Sequence, residues 1–249
     1  MLLSQGTGLA LVALIVALRA EGAPDGEYLV YAAVSGVAGI AGLTAFYRGL
    51  AVGAMAVVAP ISATAAGIPV VVGLATGDRP SAVQGAGLVP ALVGVVLASR
   101  EEPGGGGFQA PGRVAAGAGL ALGAAAGFGC FFLAMDKASD GDVFWAILVN
   151  RVTGVSLLAA AVLALRPRFA VGVDGGRALL AVGFLDITAN TLYALASTEG
   201  LVSIVAVLAS LYPVMVIVLA RLLLHERVRP VQLGGAALAL LGVVLISAG

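Results

Sequence analysis

Apolar runs of about 20 residues, separated by short polar turns, follow one another along most of the chain. A helix of that length crosses the roughly 30 Å hydrocarbon layer of a bilayer, where it satisfies its own backbone hydrogen bonds. With 61% hydrophobic and 10% charged residues, the chain has too few charges for the surface of a water-soluble domain of 249 residues. The pattern therefore predicts an all-α, polytopic membrane helix bundle.

These apolar runs predict about nine membrane spans. The polar, glycine-rich stretch at 103–112 predicts a flexible linker. It separates a first repeat of four spans, residues 1–102, from a second repeat of five spans, residues 113–249. The predicted spans are residues 2–18, 28–47, 53–75, 81–99, 113–134, 143–165, 178–196, 201–222 and 230–248.

An internal duplication relates these two repeats. Residues 57–99 align without a gap on residues 205–247, and Thr7 in the first span aligns on Thr153 in the sixth. The first repeat therefore lacks a counterpart of the fifth span. Because a five-span unit crosses the membrane an odd number of times, its tandem copy lies in the opposite orientation. We predict two inverted repeats of four and five helices, an architecture typical of transporters that bind substrate near the membrane midplane.

Charge and motif content exclude several classes of protein. The 13 basic and 13 acidic residues balance, so no net field favours a nucleic acid as partner. The sequence holds no glycine-rich phosphate loop followed by Lys, no Cys/His cluster and no His within a predicted span. We therefore expect no cofactor, no metal ion and no enzymatic activity.

The seventh predicted span carries a polar stripe. Asp186, Asn190 and Tyr193 are spaced at i, i+4 and i+7, which places them on one face of a helix. A carboxylate inside the hydrocarbon layer is costly and marks a functional site by default. The three side chains are predicted to line a cavity and contact substrate, with Asp186 exchanging a proton. The alternative is a hydrogen-bonded stripe between helices. The matching region of the first repeat is apolar, as Gly36, Val37 and Ile40.

Two further groups of polar residues lie within spans. Asn150 and Arg151 lie about two turns into the sixth span, and Arg151 is a candidate to pair with Asp186, either as a gate or as a scaffold. The other group occupies the third and eighth spans, which correspond to each other and both contain proline. Its members are candidates for lining the cavity or for hydrogen bonds between helices: Ser62, Thr64, Ser210 and Tyr212.

Several motifs of the chain are those of a known family. They are Val58-Ala59-Pro60-Ile61-Ser62, Ala209-Ser210-Leu211-Tyr212-Pro213, His225-Glu226-Arg227, Gln232-Leu233-Gly234-Gly235 and Gly242-Val243-Val244-Leu245. With these motifs the chain resembles EamA-type proteins of the drug/metabolite transporter superfamily. The resemblance implies ten spans in two five-helix repeats, a central cavity, and export or exchange of small metabolites. The sequence has no counterpart of that plan's first helix, so we expect either that it starts downstream of the true start or that the protein is a nine-span variant.

The combined expectation is a secondary transporter of small organic metabolites such as amino acids or drugs. It would lie in a bacterial cytoplasmic membrane and work by alternating access, with membrane lipid around it and proton coupling as one option. Two alternatives remain open: a membrane-embedded enzyme that modifies a lipid or isoprenoid, and a truncated subunit that does not transport. Oligomeric state, substrate and direction stay undetermined at this point.

Overall fold

The computed structural model describes residues 2–52, 55–99, 111–166, 173–212, 214–215, 218 and 230–249. This part of the chain is helical and contains no β-strand. Its helices are α1 (Leu2–Arg19), α2 (Gly26–Val52), α3 (Met55–Ala63), α4 (Gly67–Thr76), α5 (Ala82–Ala98), α6 (Pro111–Ser139), α7 (Val143–Leu165), α8 (Val173–Glu199), α9 (Val202–Ala209) and α10 (Pro230–Ala248).

Length and composition make most of these helices suitable for crossing a membrane. Within the described ranges, seven helical stretches are long and apolar enough to span a bilayer, and α5 is a shorter apolar helix. Large apolar side chains face outward, among them Leu18 at 76% exposure and Leu163 at 74%. The predicted all-α membrane bundle is therefore confirmed. Most of the linker and part of the eighth predicted span lie outside the described residues.

Local sequence signals set several helix ends. Ser81 and Gln84 form a capping box at the start of α5, where each side chain accepts the other's backbone N–H, at 3.1 and 2.9 Å. Asp142 caps α7 by accepting the N–H of Trp145 at 2.8 Å. Gly77 ends α4 with a φ of +126°, a backbone conformation that glycine adopts without strain.

The third span is interrupted near its middle. Between α3 and α4, residues Thr64–Ala66 form a 3-10 turn. Pro60 and Pro69 lie on either side of this turn, and each lacks the N–H that a continuous helix would use. Pro90, by contrast, lies inside α5 without interrupting it. Prolines in the spans of this chain thus occur both beside a break in the helix and inside an unbroken helix.

The described helices form two compact units. Unit 1 consists of Met1–Ile40 and Phe131–Glu199, and unit 2 of Ala41–Cys130 and Gly200–Gly249. Helices α2 and α6 each contribute to both. Each unit thus combines segments from the N-terminal and C-terminal parts of the chain. The sequence boundaries at 1–102 and 113–249 describe the predicted duplication and stay a prediction.

Unit 1 holds two matching helix contacts. A Cβ added to Gly36 of α2 would lie 2.7 Å from the Asn150 carbonyl oxygen and 2.8 Å from Thr153 Cβ on α7. A Cβ added to Gly183 of α8 would meet the Ser4 carbonyl oxygen and lie 2.9 Å from Thr7 Cβ on α1. Both glycines therefore let a neighbouring helix approach closely.

Unit 2 is held by what we call the glycine seam, the contact of α5 with α10 through Gly87, Gly94, Gly235 and Gly242. A Cβ on Gly87 would lie 2.7 Å from the Gly242 carbonyl oxygen, and one on Gly94 would lie 2.6 Å from that of Gly235. Contacts that advance along α5 while they recede along α10 show that the two helices run antiparallel. Backbones this close leave no room for side chains between them.

Candidate functional site

An ion pair joins two membrane-spanning helices of unit 1. Arg151 of α7 places Nη2 2.8 Å from Oδ2 of Asp186 on α8. The Arg151 side chain is 5% exposed, and that of Asp186 is 39% exposed. Pairing offsets part of the cost of placing each charge in the hydrocarbon layer. The pair leaves Asp186 open on one side, where another polar group can reach it.

Two amides extend the pair to a four-residue group, the ionic cluster of Gln5, Arg151, Asp186 and Asn190. Gln5 of α1 accepts a hydrogen bond from Arg151 Nη1 and donates one to Asp186 Oδ2 at 3.3 Å. It can bridge because an amide offers both a donor and an acceptor. Asn190 donates to Asp186 Oδ1 at 3.3 Å and to the Asp186 carbonyl oxygen at 2.8 Å.

One donor in the cluster lacks an acceptor. Arg151 Nε is buried and has no hydrogen-bond partner among the described residues. Gly8 of α1 lies beside it, and a Cβ added there would be 3.6 Å from Nε and 3.3 Å from Ile187 Cβ. A buried, unpaired donor is costly and is stabilised when a water or ligand oxygen reaches it.

The other polar residues predicted in unit 1 lie apart from the cluster. Asn150 donates to Ser35 Oγ at 2.8 Å, and Ser35 in turn donates to the Ala32 carbonyl oxygen at 2.7 Å. Tyr193 is buried and donates to the Phe132 carbonyl oxygen at 2.9 Å. Its ring centroid lies 4.9 Å from that of Phe132. Of the predicted stripe, the structure thus joins Asp186 and Asn190 by hydrogen bonds, while Tyr193 bonds to α6.

In unit 2 the predicted cavity residues make mostly local contacts. Thr64 donates to Ile61 at 2.6 Å and Ser210 to Val207 at 2.8 Å, both to backbone carbonyl oxygens. Tyr212 is 50% exposed, and the buried Ser62 hydroxyl has no partner among the described residues. An apolar groove of about 330 Å³ lies beside the interrupted span and is lined by Thr64, Gly67, Leu92, Val93, Val96 and Leu97.

Sequence reasoning missed Gln5 and Ser35. A signal for Gln5 was present, because the alignment of Thr7 on Thr153 also carries Gln5 onto Arg151. Residues 225–227 lie outside the described residues. Among those described, no group of three or more His, Cys, Asp and Glu side chains is placed to hold a metal ion.

At one end of unit 1, a second ionic contact joins α1 to the start of α7. Arg19 lies 2.9 Å from Asp142 and also pairs with Glu21. Its guanidinium lies 4.8 Å from the ring centroid of Phe144. Partial burial raises the pKa of Asp142, but hydrogen bonds from Arg19 and from the Trp145 amide outweigh it and hold that pKa below its ordinary value.

Comparison with known proteins places this fold in a family. The family model of the EamA-like transporter family matches residues 115–248, more than half of the chain. A protein of known crystal structure superposes with a TM-score of 0.82 at 18% identity, covering 99% of this chain and 86% of the other. At that identity the likeness shows the fold alone. No curated protein matches the sequence significantly. The chain belongs to the EamA-like transporter family, a family of membrane transporters in the drug/metabolite transporter superfamily.

Proposed function

We propose that the protein is a secondary transporter that exports or exchanges small organic metabolites, such as amino acids or drugs, across a bacterial cytoplasmic membrane. The observation that carries the proposal is the ionic cluster on three membrane-spanning helices of unit 1. Its Asp186 carboxylate is only partly covered, and Arg151 Nε has no acceptor in the part of the chain that the structure describes. The exposed part of the Asp186 carboxylate offers a polar solute a contact that the protein itself leaves unfilled.

Reciprocal contacts support an inverted repeat around this cluster. Gly36 packs closely against Asn150 and Thr153 of α7, while Gly183 packs closely against Ser4 and Thr7 of α1. The alignment of Thr7 on Thr153 carries Ser4 onto Asn150, so the two contacts match on the α1 and α7 side, and the contacts themselves make Gly36 the counterpart of Gly183. Such exchanged pairs are the mark of a two-fold relation.

The position of Arg151 within this relation is special. Gln5 is its counterpart in the first repeat, and the two side chains are hydrogen-bonded to each other. Equivalent residues meet only where a two-fold axis passes between them. Inverted-repeat transporters hold their substrates near that axis. The cluster therefore occupies the place in unit 1 where a transported solute would be bound.

The chemistry of the cluster suits a cycle of binding and release. Arg151 and Asp186 together carry no net charge, so the cluster alone adds none to the hydrocarbon layer. When Asp186 takes up a proton or pairs with a cationic group of a solute, its ion pair with Arg151 weakens. The guanidinium then becomes available to an anionic group. Asp186 would thus couple proton movement to solute movement, and Arg151 would act as a gate.

Solute flux into proteoliposomes tests the proposal. Purified protein is reconstituted and screened with radiolabelled amino acids and cationic drugs, with and without a pH gradient, against protein-free liposomes. Saturable uptake of at least one solute class, enhanced by the gradient, is the expected result. The absence of flux for every class, from folded and inserted protein, would contradict transport by this chain and favour a non-transporting subunit.

A further inference from the structure

Helix α9 begins without a cap of its own. Its N-cap residue is Leu201, whose side chain cannot accept a hydrogen bond. The first amides of any helix lack partners within the helix. Val202 and Ser203 are 8% and 0% exposed, so water does not reach the start of α9 freely. The Ser203 amide therefore depends on an acceptor from elsewhere in the protein.

Asp78 supplies that acceptor from a distant part of the sequence. Its Oδ2 accepts the Ser203 N–H at 3.0 Å, across 125 residues of chain. Asp78 lies in the turn after α4, where the N–H groups of Gly77 and Asp78 both donate to the Gly73 carbonyl oxygen, at 3.0 and 2.8 Å. This turn, with Gly77 in a left-handed conformation, aims the carboxylate at α9.

Gly73 leaves the space in which the two helices meet. A Cβ added to it would lie 3.0 Å from Asp78 Cγ and 3.1 Å from Val202 Cγ1. A side chain at residue 73 would therefore push both the carboxylate and the first turn of α9 away. The link between α4 and α9 requires glycine at this position.

The two linked helices border interruptions in their spans. Helix α4 follows the 3-10 turn Thr64–Ala66. Helix α9 ends at Ala209, and the N–H of the next residue, Ser210, donates to the Ala206 and Val207 carbonyl oxygens at 3.0 and 3.2 Å, as in a tightened last turn. Asp78 joins the opposite ends of these helices, the C-terminus of α4 and the N-terminus of α9.

We propose that Asp78 is a positioning residue that locks α4 to α9, so that the two half-spans move as one body during the transport cycle. This inference rests on the proposed transport function. The carboxylate acts by holding the first turn of α9. Its effect on flux arises through the position of α9, and it requires an acceptor at residue 78 more than a negative charge.

Amide hydrogen exchange and flux, measured on the same variants of the full chain, test this role. In Asp78→Ala, exchange over residues 202–205 should rise roughly 5- to 30-fold, the range that corresponds to a lost helix cap. Asp78→Asn keeps a carbonyl oxygen acceptor and should retain the wild-type exchange rate. Arg79→Ala, an exposed neighbour in the same turn, is the matched control.

Flux separates positioning from mere stability. Asp78→Ala should lower the maximal uptake rate while leaving the KM for solute unchanged, and Asp78→Asn should restore the rate.

If Asp78→Ala does not fold, Gly73→Ala displaces the carboxylate without removing it and should raise exchange over the same residues. Wild-type exchange in both Asp78→Ala and Gly73→Ala would overturn the lock. Asp78→Asn behaving like Asp78→Ala would overturn the capping role in favour of charge. A wild-type protein without flux would refute transport, and with it the positioning role, although exchange would still decide whether the link holds α9.

Discussion

Both units of this protein bring helices together at glycines, but they differ in the other groups that join those helices. In unit 1, α1, α7 and α8 are joined by side chains that carry charge or amides, with Arg151 and Asp186 at the centre. In unit 2, α5 and α10 touch backbone to backbone along the glycine seam. Side-chain contacts can be exchanged for contacts to a solute, whereas a backbone contact cannot be exchanged without separating the helices.

The two units share one kind of contact and differ in charge. Both units contain matching glycine contacts: in unit 1 Gly36 packs on α7 as Gly183 packs on α1, and in unit 2 Gly87 packs on Gly242 as Gly94 packs on Gly235. Only unit 1 adds an ion pair within membrane-spanning helices among the residues that the structure describes. Asp186 has no acidic counterpart in the first repeat. We infer that the seam is structural and that the ionic cluster carries the chemistry.

The largest expected effect is loss of the fold through the seam. Gly94→Leu places a side chain where even a Cβ would lie 2.7 Å from Ala239 Cα, and a backbone atom cannot move aside. We expect no monodisperse protein in detergent by size-exclusion chromatography. Gly85→Ala in the same helix is the matched control, because a Cβ there meets nothing within 4 Å, and it should not lower stability. Normal folding of Gly94→Leu would show that the seam is not close-packed.

An intermediate effect separates the two members of the ion pair. Asp186→Leu leaves the 5% exposed Arg151 unpaired and should cost about 3 kcal/mol of stability. Under the proposed function, water in the solute pathway hydrates the 39% of the Asp186 side chain that is exposed, so Arg151→Met should cost only about 1 kcal/mol. Thermal unfolding in detergent, with the double variant to close the cycle, measures both. Equal costs would indicate that Asp186 faces hydrocarbon and not an aqueous pathway.

The smallest expected effect lies at the surface end of unit 1. Because the pKa of Asp142 is lowered in the folded protein, its contribution to stability is present above its unfolded pKa of about 4 and is lost as pH falls through the folded pKa. Asp142→Asn keeps the helix cap but not the charge, so it should reduce the loss of stability in acid. Emission from Trp145, the single tryptophan of the chain, reports unfolding at this site. An unchanged acid profile would show that Arg19 and Asp142 do not couple to folding.

Much of the fold was predictable from sequence, because hydrophobic run length alone defines a membrane helix. The predicted spans at 143–165 and 230–248 match α7 and the limits of α10. Others were predicted too short, since α8 continues from residue 196 to Glu199 and begins at Val173 in place of residue 178. Helices extend past the apolar run where polar residues at the membrane surface continue the backbone pattern.

The candidate site was predictable only in part. Asp186 and Arg151 stand out because charges are rare inside spans, but Gln5 is an ordinary amide near the start of a helix and has no such signal by itself. The interruption at Thr64–Ala66 was equally hidden, since Pro60, Pro69 and Pro90 look alike in sequence, yet the helix breaks between Pro60 and Pro69 and continues through Pro90. Tertiary neighbours, which a single sequence does not specify, decide both outcomes.

We propose that Asp186 carries the proton-coupled step, and one substitution tests this directly. Asp186→Asn, reconstituted beside the wild type, should abolish pH-driven uptake while the protein remains folded and inserted. Thr188→Val on the same helix is the matched control, because that exposed hydroxyl bonds to the Phe184 carbonyl oxygen of its own helix at 2.8 Å, and it should leave uptake unchanged. Unchanged pH-driven uptake by Asp186→Asn would contradict the account and return Asp186 to a structural role.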